Sequence, residues 1–482
     1  MLKSQAAAAA LPTTSKPGET KFATRRAHVK HICVALPAAK RLQLSPRTHL
    51  LIVALLGCCA GPSKAVTLEG LLQTTLEKNP AIQEAKADLE RAAGQRLVFR
   101  SIVWPQVALG VPAGLQYGHR SGENGVKGFG VARGFLDQAL FNVAVPPSLR
   151  RGNVEVLIAQ QQLNVAVVEQ LHAVRLAFYA ALYNQSLESI RKEQQQRLLD
   201  NVATQKNRLD AGLTNRSALT SATIPAAELE PQIQSAHRAH LDALLQLAQA
   251  MAIDPAKGSL PEPEGELQFV PKHVDLNSET AAALERRADV KLGRLFVRAA
   301  NEDERIIAAD YYPAATGGLR GEWVPVTGIH RQGSTSRTQD FIGSEIRERA
   351  AYTWRVVDNG KVGGAVLKAR SAREINELTL QKLESDIPRE LSRIANYLKS
   401  TEERESSLAA ATAAAEESAR EIQENVASGL VSSLEYRITQ NGFLETKSGL
   451  LDATYQHNLA TAEWDRATGR YFQFSYEAPA SK

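Results

Sequence analysis

Asp210-Ala211-Gly212-Leu213 recurs 217 positions later as Ala427-Ser428-Gly429-Leu430. Each copy stands between two long stretches that are rich in Ala, Leu, Gln and Glu and contain few Gly or Pro residues. Gly is common at the end of a helix because it adopts the left-handed backbone that a C-terminal turn requires. Gly212 and Gly429 are therefore predicted to be the turns of two helical hairpins.

The similarity extends outward from both turns over most of the chain. With an offset of 208 residues, Leu68 falls on Leu276 and Pro105 falls on Pro313. A period of roughly 200 residues is too long for a solenoid repeat, so the pattern predicts a duplicated domain whose halves pack as a pseudo-symmetric pair. The predicted segments are a leader at 1–65, a first repeat at 66–266, a second repeat at 267–474 and a C-terminal tail at 475–482.

Charge and cysteine are unevenly distributed along the chain. Residues 1–57 carry nine Lys or Arg and one Glu, a net charge of +8, so the remainder carries −3 of the whole-chain +5. The basic character belongs to the leader, which argues against nucleic acid as a partner. All three cysteines lie before residue 60, so no disulfide framework or cysteine metal site is expected in the rest of the chain.

The leader contains a candidate secretory signal with a hydrophobic region at about 50–56, preceded by basic residues and followed by small ones. This run is too short to span a bilayer as a helix. Two cleavage interpretations stay open. Leu55-Leu56-Gly57-Cys58 resembles a lipobox, which makes Cys58 the candidate site of lipid attachment, whereas Ser63-Lys64-Ala65 resembles an ordinary signal-peptidase site. The distance from Met1 predicts that the true start lies downstream.

Each repeat begins and ends with helical patterns. An opening stretch of about 35 residues is expected to be a helix that ends at Pro105 or Pro313. The long runs 154–210 and 361–428 would be roughly 85 to 100 Å long at 1.5 Å per residue. Returning helices are predicted at 219–251 and 434–471, and a Pro- and acid-rich linker at 255–271. The spacing of the apolar residues is that of coiled-coil packing, as in Leu163, Val167, Leu171, Val174 and Phe178.

Three prolines interrupt these helical patterns. Pro225 and Pro231 lie in the first returning helix, and Pro388 lies in the second long run. Because proline removes a backbone hydrogen bond and clashes with the preceding turn, we expect a kink or a break at each of them.

A hairpin of strands is predicted near the start of each repeat, at about 105–145 and at about 313–358. In the second hairpin, Arg347, Arg349 and Arg355 share one parity. The opposite parity holds Ile346, Ala350, Tyr352, Trp354 and Val356, with Glu348 as the exception. This alternation indicates a strand with one polar and one apolar face. In the first hairpin the alternation is poorer, over 107–117 and 129–143 around a loop at 122–125.

Four such strands cannot close a membrane barrel on their own. Unpaired strand edges are not tolerated in lipid, and closed outer-membrane barrels use about eight strands or more. If both hairpins face a membrane, the chain must therefore oligomerise.

The ordered set of motifs resembles the TolC-type outer-membrane efflux proteins. The resemblance covers nearly the whole stretch 66–474 and rests on several short motifs. They are Leu68-Glu-Gly-Leu-Leu72, Asn79-Pro80, Trp104-Pro105, Tyr311-Tyr312-Pro313, Trp354-Arg-Val-Val-Asp358-Asn-Gly360 and the two glycine turns.

The resemblance implies a mainly α-helical fold with membrane β-strands. Three chains would share one 12-stranded β-barrel in the outer membrane of a Gram-negative bacterium, and their helices would form a long coiled-coil α-barrel across the periplasm. The implied function is a passive duct of a tripartite efflux or type I secretion system. The implied partners are a periplasmic adaptor, an inner-membrane pump and membrane lipid. Neither enzymatic activity nor a cofactor is implied.

One pore residue follows from the resemblance. The family closes its periplasmic end with acidic residues just after the second turn, a position that Glu435 occupies here. The next acidic position is Ile438, and the basic position two residues after Gly429 is Val431, so a double acidic ring and a salt-bridge latch are not expected. Three copies of Glu435 could form a cation-selective ring. Alternatively, Glu435 is a solvated residue in the first turn of its helix, where the dipole favours a carboxylate.

The arginines of the second hairpin allow two interpretations. If their face turns inward, Arg347, Arg349 and Arg355 line the barrel lumen, and Tyr352 and Trp354 face lipid or its interface. Otherwise the arginines lie on an exposed charged strand face, and the two aromatic residues contribute to core packing.

Signatures of catalysis or metal binding do not emerge. The glycine cluster at 125–130 lacks the helix and the Lys-Ser/Thr ending of a phosphate loop. His172, His237 and His240 have no further ligands at metal spacing. The main alternative to a channel is a periplasmic coiled-coil adaptor or scaffold anchored by lipid at Cys58.

Overall fold

The computed structural model describes residues 66–120, 123–256, 259–323, 345–427 and 432–475, which belong to one compact unit. The leader with Cys58, the turn residue Gly429, Val431 and the end of the predicted tail lie outside these described residues. The exact repeat boundaries stay a prediction.

The helices follow the same order in both halves. The first half contains α1 (Leu68–Lys78), α2 (Pro80–Arg100), α3 (Val145–Asp210), α4 (Arg216–Glu228) and α5 (Glu230–Ala250). The second half contains α6 (Leu276–Arg286), α7 (Ala288–Ala308), α8 (Lys361–Ala427) and α9 (Ser433–Ala467). The predicted combination of very long helices with a few antiparallel strands is confirmed.

The opening stretch of each half is two helices rather than the one that was predicted. Asn79 and Arg287 separate them with an extended backbone, ψ being 127° and 128°. At Asn79 the side-chain oxygen accepts hydrogen bonds from the amides of Ala81 and Ile82, and Pro80 occupies the first helical position. An Asn cap followed by Pro favours a new helix start at this point.

The prolines at 146, 147 and 231 lie at helix starts, and the predicted break occurs beside Pro231 only. The helix α3 begins at Val145 rather than Val154, because the prolines at 146 and 147 fall in its first turn, where no backbone donor is required. The first returning helix breaks at Leu229, and Pro231 lies in the first turn of α5. Pro225 and Pro388 lie inside α4 and α8, which continue through them.

The described residues contain six strands where four were predicted. They are β1 (Gln106–Gly110), β2 (Ala113–Arg120), β3 (Glu123–Gly130), β4 (Ala132–Phe141), β5 (Ala314–Trp323) and β6 (Glu345–Thr353). One sheet has the order β1-β4-β5-β6, and β2 pairs with β3 separately. The first hairpin is thus interrupted near Pro112, which cannot donate to a ladder, while the Val131 amide still donates to the Pro112 carbonyl at 3.0 Å.

Buried apolar residues connect these helices. Val174 and Phe178 of α3 pack with Leu71 of α1 and Leu247 of α5, and Leu163, Val167 and Leu171 pack around Ile82 of α2. In the second half, α8 and α9 contribute Ile387, Leu391 and Trp464 to a cluster with Ala283 and Val290. The predicted coiled-coil spacing along α3 therefore marks a buried face.

One described helix, α3, is apolar and long enough to cross a membrane by length and composition. Since its apolar residues fill the clusters above and also contact Ala299 of α7, we assign α3 to the protein core.

Candidate functional site

The register of the four-stranded sheet sorts its side chains onto two faces. Directly paired residues of antiparallel strands lie on the same side of a sheet. Arg347 pairs with Arg320, and Arg349 pairs with Gly318, whose partner on β4 is Asp137. The face that carries Arg347 and Arg349 also carries Arg133, Asp137, Arg320, Glu322 and Glu345.

Ion pairs connect the residues of this polar face. Arg133 Nη2 lies 3.2 Å from Glu322 Oε1 across β4 and β5, and Arg347 pairs with Glu345 along β6. A Cβ atom at Gly318 would lie 2.5 Å from Asp137 Oδ1, so the glycine leaves room for this carboxylate. The polar face therefore combines both signs of charge.

The opposite face is apolar and exposed. It carries Val107, Leu109, Leu136, Leu319, Trp323, Ile346 and Tyr352. Leu109 and Ile346 are 86% and 81% exposed, values that are unusual for such large apolar side chains. Glu348 lies on this face between Ile346 and Tyr352, as the sequence parity predicted.

The end of the second hairpin differs from the prediction. The strand β6 ends at Thr353, so Trp354 and Arg355 follow the ladder rather than belonging to it. Trp354 Nε1 donates to the Tyr311 carbonyl at 3.1 Å and fixes the strand exit to the end of α7. Arg355 is therefore not part of the alternation that places Arg347 and Arg349 together.

The sheet has two open edges among the described strands. β1 is paired only with β4, and β6 is paired only with β5. An apolar strand edge with unpaired backbone groups is a place where another chain can add a strand.

The opposite end of the long helices carries the predicted turn Gly212 and the candidate aperture residue Glu435. Gly212 has a φ of 73° and ends α3, where the Leu213 amide donates to the Arg208 carbonyl at 2.8 Å. Ser432 caps α9 by accepting a hydrogen bond from the Glu435 amide at 3.2 Å. Glu435 is exposed in the first helical turn, so its position agrees with either interpretation.

Apolar residues at this end were not singled out from the sequence. Leu213, Leu434 and Ile438 are all largely exposed there. Ile438 had been noted only as a missing carboxylate.

A cluster of charged residues joins the two halves where α9 ends. Arg175 of α3 donates to Asp465 Oδ2 at 2.8 Å, and Lys272, directly after the linker, donates to the other oxygen of the same carboxylate. Burial raises the pKa of the neighbouring Tyr471 to about 12. These contacts were missed because residues about 290 positions apart meet only after folding.

A second part of the cluster centres on Glu463, which accepts hydrogen bonds from Arg466 at 2.6 Å and is 3.1 Å from His172 Nε2. His172 and Arg466 hold the pKa of the Glu463 carboxyl well below its usual range. Arg466 also donates to Glu390, which in turn accepts from Arg287 at 2.7 Å.

The three candidate histidines have separate partners. His237 contacts Glu188, His240 contacts the Ala181 carbonyl, and His172 contacts Glu463 and Tyr471. Within the described ranges, no group of three or more His, Cys, Asp or Glu residues is arranged to hold a metal ion.

A protein-family model matches part of this chain. The family model for the outer membrane efflux protein matches residues 71–252, which lie in the first half. No match is found among curated proteins.

Solved structures match over most of the chain. The Campylobacter jejuni CmeC outer membrane channel is 12% identical with a TM-score of 0.73, covering 85% of this chain and 87% of its own. The outer membrane protein VceC from Vibrio cholerae is 15% identical with a TM-score of 0.69, covering 83% and 96%. A membrane protein from Pseudomonas aeruginosa is 16% identical with a TM-score of 0.69, covering 83% and 92%.

The family match describes channels rather than enzymes. The resemblance to TolC-type outer-membrane efflux proteins is therefore confirmed, by the family match over residues 71–252 and by the channel fold of the described chain.

Proposed function

We propose that three copies of this chain form a passive export duct in the outer membrane. The observation that carries this proposal is the four-stranded sheet with one polar face, one apolar face and two open edges. Three such sheets, joined edge to edge, would satisfy every backbone group and present the apolar face to lipid. The predicted outer-membrane location agrees with the comparisons.

The long helices would continue the duct across the periplasm, where an adaptor and an inner-membrane pump would engage it. The support for these partners is the resemblance to efflux channels together with helices of 66 and 67 residues, which no compact core requires. The energy for export would come from the pump. The alternative of a lipid-anchored adaptor does not account for the two-faced sheet.

Arg347 and Arg349 would line the lumen of the barrel with the other residues of the polar face. Arg355, which follows the end of β6, would lie at the mouth between barrel and helices. The position of Tyr352 on the apolar face supports its assignment to the lipid interface.

Glu435 would form a ring of three carboxylates at the periplasmic aperture. The support is its exposed position at the start of α9, next to the turn. In planar bilayers, Glu435→Gln should reduce the preference for cations, and unchanged selectivity would leave Glu435 as a solvated residue in the first turn of its helix.

Cys58 would carry a lipid after signal cleavage. Intact-mass measurement of the mature protein distinguishes the alternatives, because acylated Cys58 as the first residue supports a lipoprotein. A chain starting at Val66 would exclude it.

Oligomeric state tests the proposed function. Protein from the outer-membrane fraction should migrate as a trimer in mild detergent and should resist extraction with carbonate or urea. A monomer or dimer that is stripped from the membrane would contradict the proposal.

Two neighbouring substitutions provide a matched control. Ile346→Lys puts a charge on the apolar face and should reduce trimer insertion, since a lysine on the lipid face of a barrel costs up to about 2 to 4 kcal/mol, depending on its depth in the membrane. Arg347→Gln, on the polar face, should leave insertion intact. Equal behaviour of the two variants would show that the faces are not separated by lipid.

A further inference from the structure

A groove of about 500 Å³ follows α9 between α3 and α8. Its wall residues include His172 and Leu176 from α3, Arg393 and Tyr397 from α8, and Leu459 and Glu463 from α9. This volume is within the range of about 300 to 1,000 Å³ that is usual for small-molecule sites.

The groove and the linker lie on opposite faces of α9. At about 100° per residue, the groove residues at 456, 459, 460 and 463 centre on one side of the helix. His457, Asn458 and Asp465 centre on the other side, where they contact Val270 and Gln268 of the linker and Lys272 directly after it.

α9 packs against both α8 and α3 of its own chain, and residues of these three helices line the groove. The groove is therefore formed within one chain. The orientation of the groove rests on the proposed function. Three linkers inside a duct would obstruct it, so the linker face of α9 is the outer face. The groove on the opposite face therefore faces the lumen.

The chemistry of the walls favours an amphipathic anion. Leu176, Tyr397 and Leu459 supply apolar surface, and the one carboxylate, Glu463, is already bound by Arg466 and His172. Arg393 is exposed and forms no ion pair or hydrogen bond with any described residue. A bound carboxylate or sulfonate would accept hydrogen bonds from its guanidinium, whose paired N–H donors suit such anions.

We propose that this groove is a lumenal binding site for drug-sized amphipathic organic anions, with Arg393 as the anion-binding residue and the Leu176–Leu459 surface holding the apolar part.

The proposal is tested with 11-(dansylamino)undecanoate and its uncharged methyl ester, titrated by fluorescence against the full-length protein in detergent. Arg393→Gln should weaken binding of the carboxylate about tenfold, which corresponds to 1.4 kcal/mol, and leave the ester unchanged. Leu459→Trp should fill the groove and weaken both probes.

Arg389→Gln is the matched control. Arg389 lies one turn earlier on α8 and pairs with Asp386 at 3.1 Å outside the groove. Equal affinities of Arg389→Gln and Arg393→Gln for the carboxylate would overturn the proposed site.

Channel recordings separate the site from the proposed function. The carboxylate added to the periplasmic side should lower the single-channel current of the wild type and should not affect Arg393→Gln. Binding that depends on Arg393 without any effect on current would overturn the lumenal assignment. Wild-type protein that passes no current would contradict the duct, whereas the fluorescence titration would still decide the site.

Discussion

The two returning helices end in similar backbones with different chemistry. In each half, the residue that separates two short helices donates a side-chain hydrogen bond to the last carbonyl of the returning helix. Asn79 Nδ2 lies 3.1 Å from the Ala250 carbonyl, and Arg287 Nη1 lies 3.1 Å from the Ala467 carbonyl. The duplicated backbone keeps this contact with a neutral amide in one half and a guanidinium in the other.

The neighbours of Arg287 are charged, whereas the equivalent neighbours of Asn79 are neutral. Around Arg287 the second half has Asp289, Glu390, Glu463 and Arg466. At the repeat offsets the first half has Ala81, Ala173, Gln246 and Gln249. One junction is therefore held by charge and the other by neutral hydrogen bonds and packing. Only the ionic junction of the second half should respond strongly to acid or to the loss of one ionic partner.

The largest expected effect comes from Arg287→Ala. It leaves Glu390, Asp289 and the Ala467 carbonyl without their shared donor in a largely buried place, so we expect a loss of about 3 kcal/mol in the free energy of unfolding. Asn79→Ala removes a cap and one neutral contact and should cost about 1 kcal/mol. Urea unfolding followed by circular dichroism measures both, and equal losses would contradict the ionic character of the second junction.

Acid should weaken the ionic junction. Because the folded protein holds the pKa of Glu463 below its ordinary value, this carboxylate stabilises the fold above the unfolded pKa of about 4.3. That stabilisation is lost as the pH falls from the unfolded pKa toward the lower folded one. Glu463→Gln should cost about 1 to 2 kcal/mol at pH 7 and should flatten this part of the pH profile.

The control for this measurement is Glu435→Gln, which removes an exposed carboxylate at the far end of the same helix. Its thermal unfolding between pH 7 and pH 3 should follow the wild type. If Glu463→Gln also follows the wild type, the ionic junction does not determine the acid response.

A smaller effect is expected at the helix ends, where Ala252 and Gly469 occupy equivalent left-handed positions with φ of 56° and 68°. Ala252→Gly should stabilise the first half by about 0.5 to 1 kcal/mol, since glycine adopts this conformation without strain. Gly469→Ala should destabilise the second half, because its Cβ would lie 3.2 Å from the Arg287 amide. Thermal unfolding measures both changes, and a shift of the same sign would contradict the equivalence.

The smallest effect on stability is expected from Ala218→Glu. Asn215 caps α4 as Ser432 caps α9, but Ala218 stands where the second half has Glu435. A carboxylate in this first turn should add a few tenths of a kcal/mol through the helix dipole. In planar bilayers, Ala218→Glu should also raise the preference of the channel for cations. An unchanged preference would mean that the start of α4 lies away from the ion path.

The sequence predicted the helices and the sheet faces because both follow local periodicity. The parity of Arg347 and Arg349 against Ile346 and Tyr352 agrees with the register of β6. The break at Arg287 could not be predicted in this way, since Arg287-Ala288 contains no residue that interrupts a helix. Its backbone is fixed by partners that lie about 100 to 180 residues away.

The candidate site was only partly accessible from the sequence. Gly212 was predicted from its place between two helical stretches, and its positive φ agrees with a turn. Glu435 came from the resemblance to the efflux family, and its role at the aperture stays a proposal. The charged cluster around Glu463 and the groove beside Arg393 were not predicted, because each combines α3 with α8 or α9. His172 had been weighed only as a metal ligand.

The alternation of ionic and neutral junctions lowers the symmetry of the assembly that we propose. A trimer of a duplicated chain has six such junctions around its axis. If the two halves were identical, all six junctions would weaken under the same conditions. Here every second junction is ionic, so acid would weaken three junctions spaced 120° apart. At the level of these junctions, the cross-section of the duct would then become triangular instead of widening evenly.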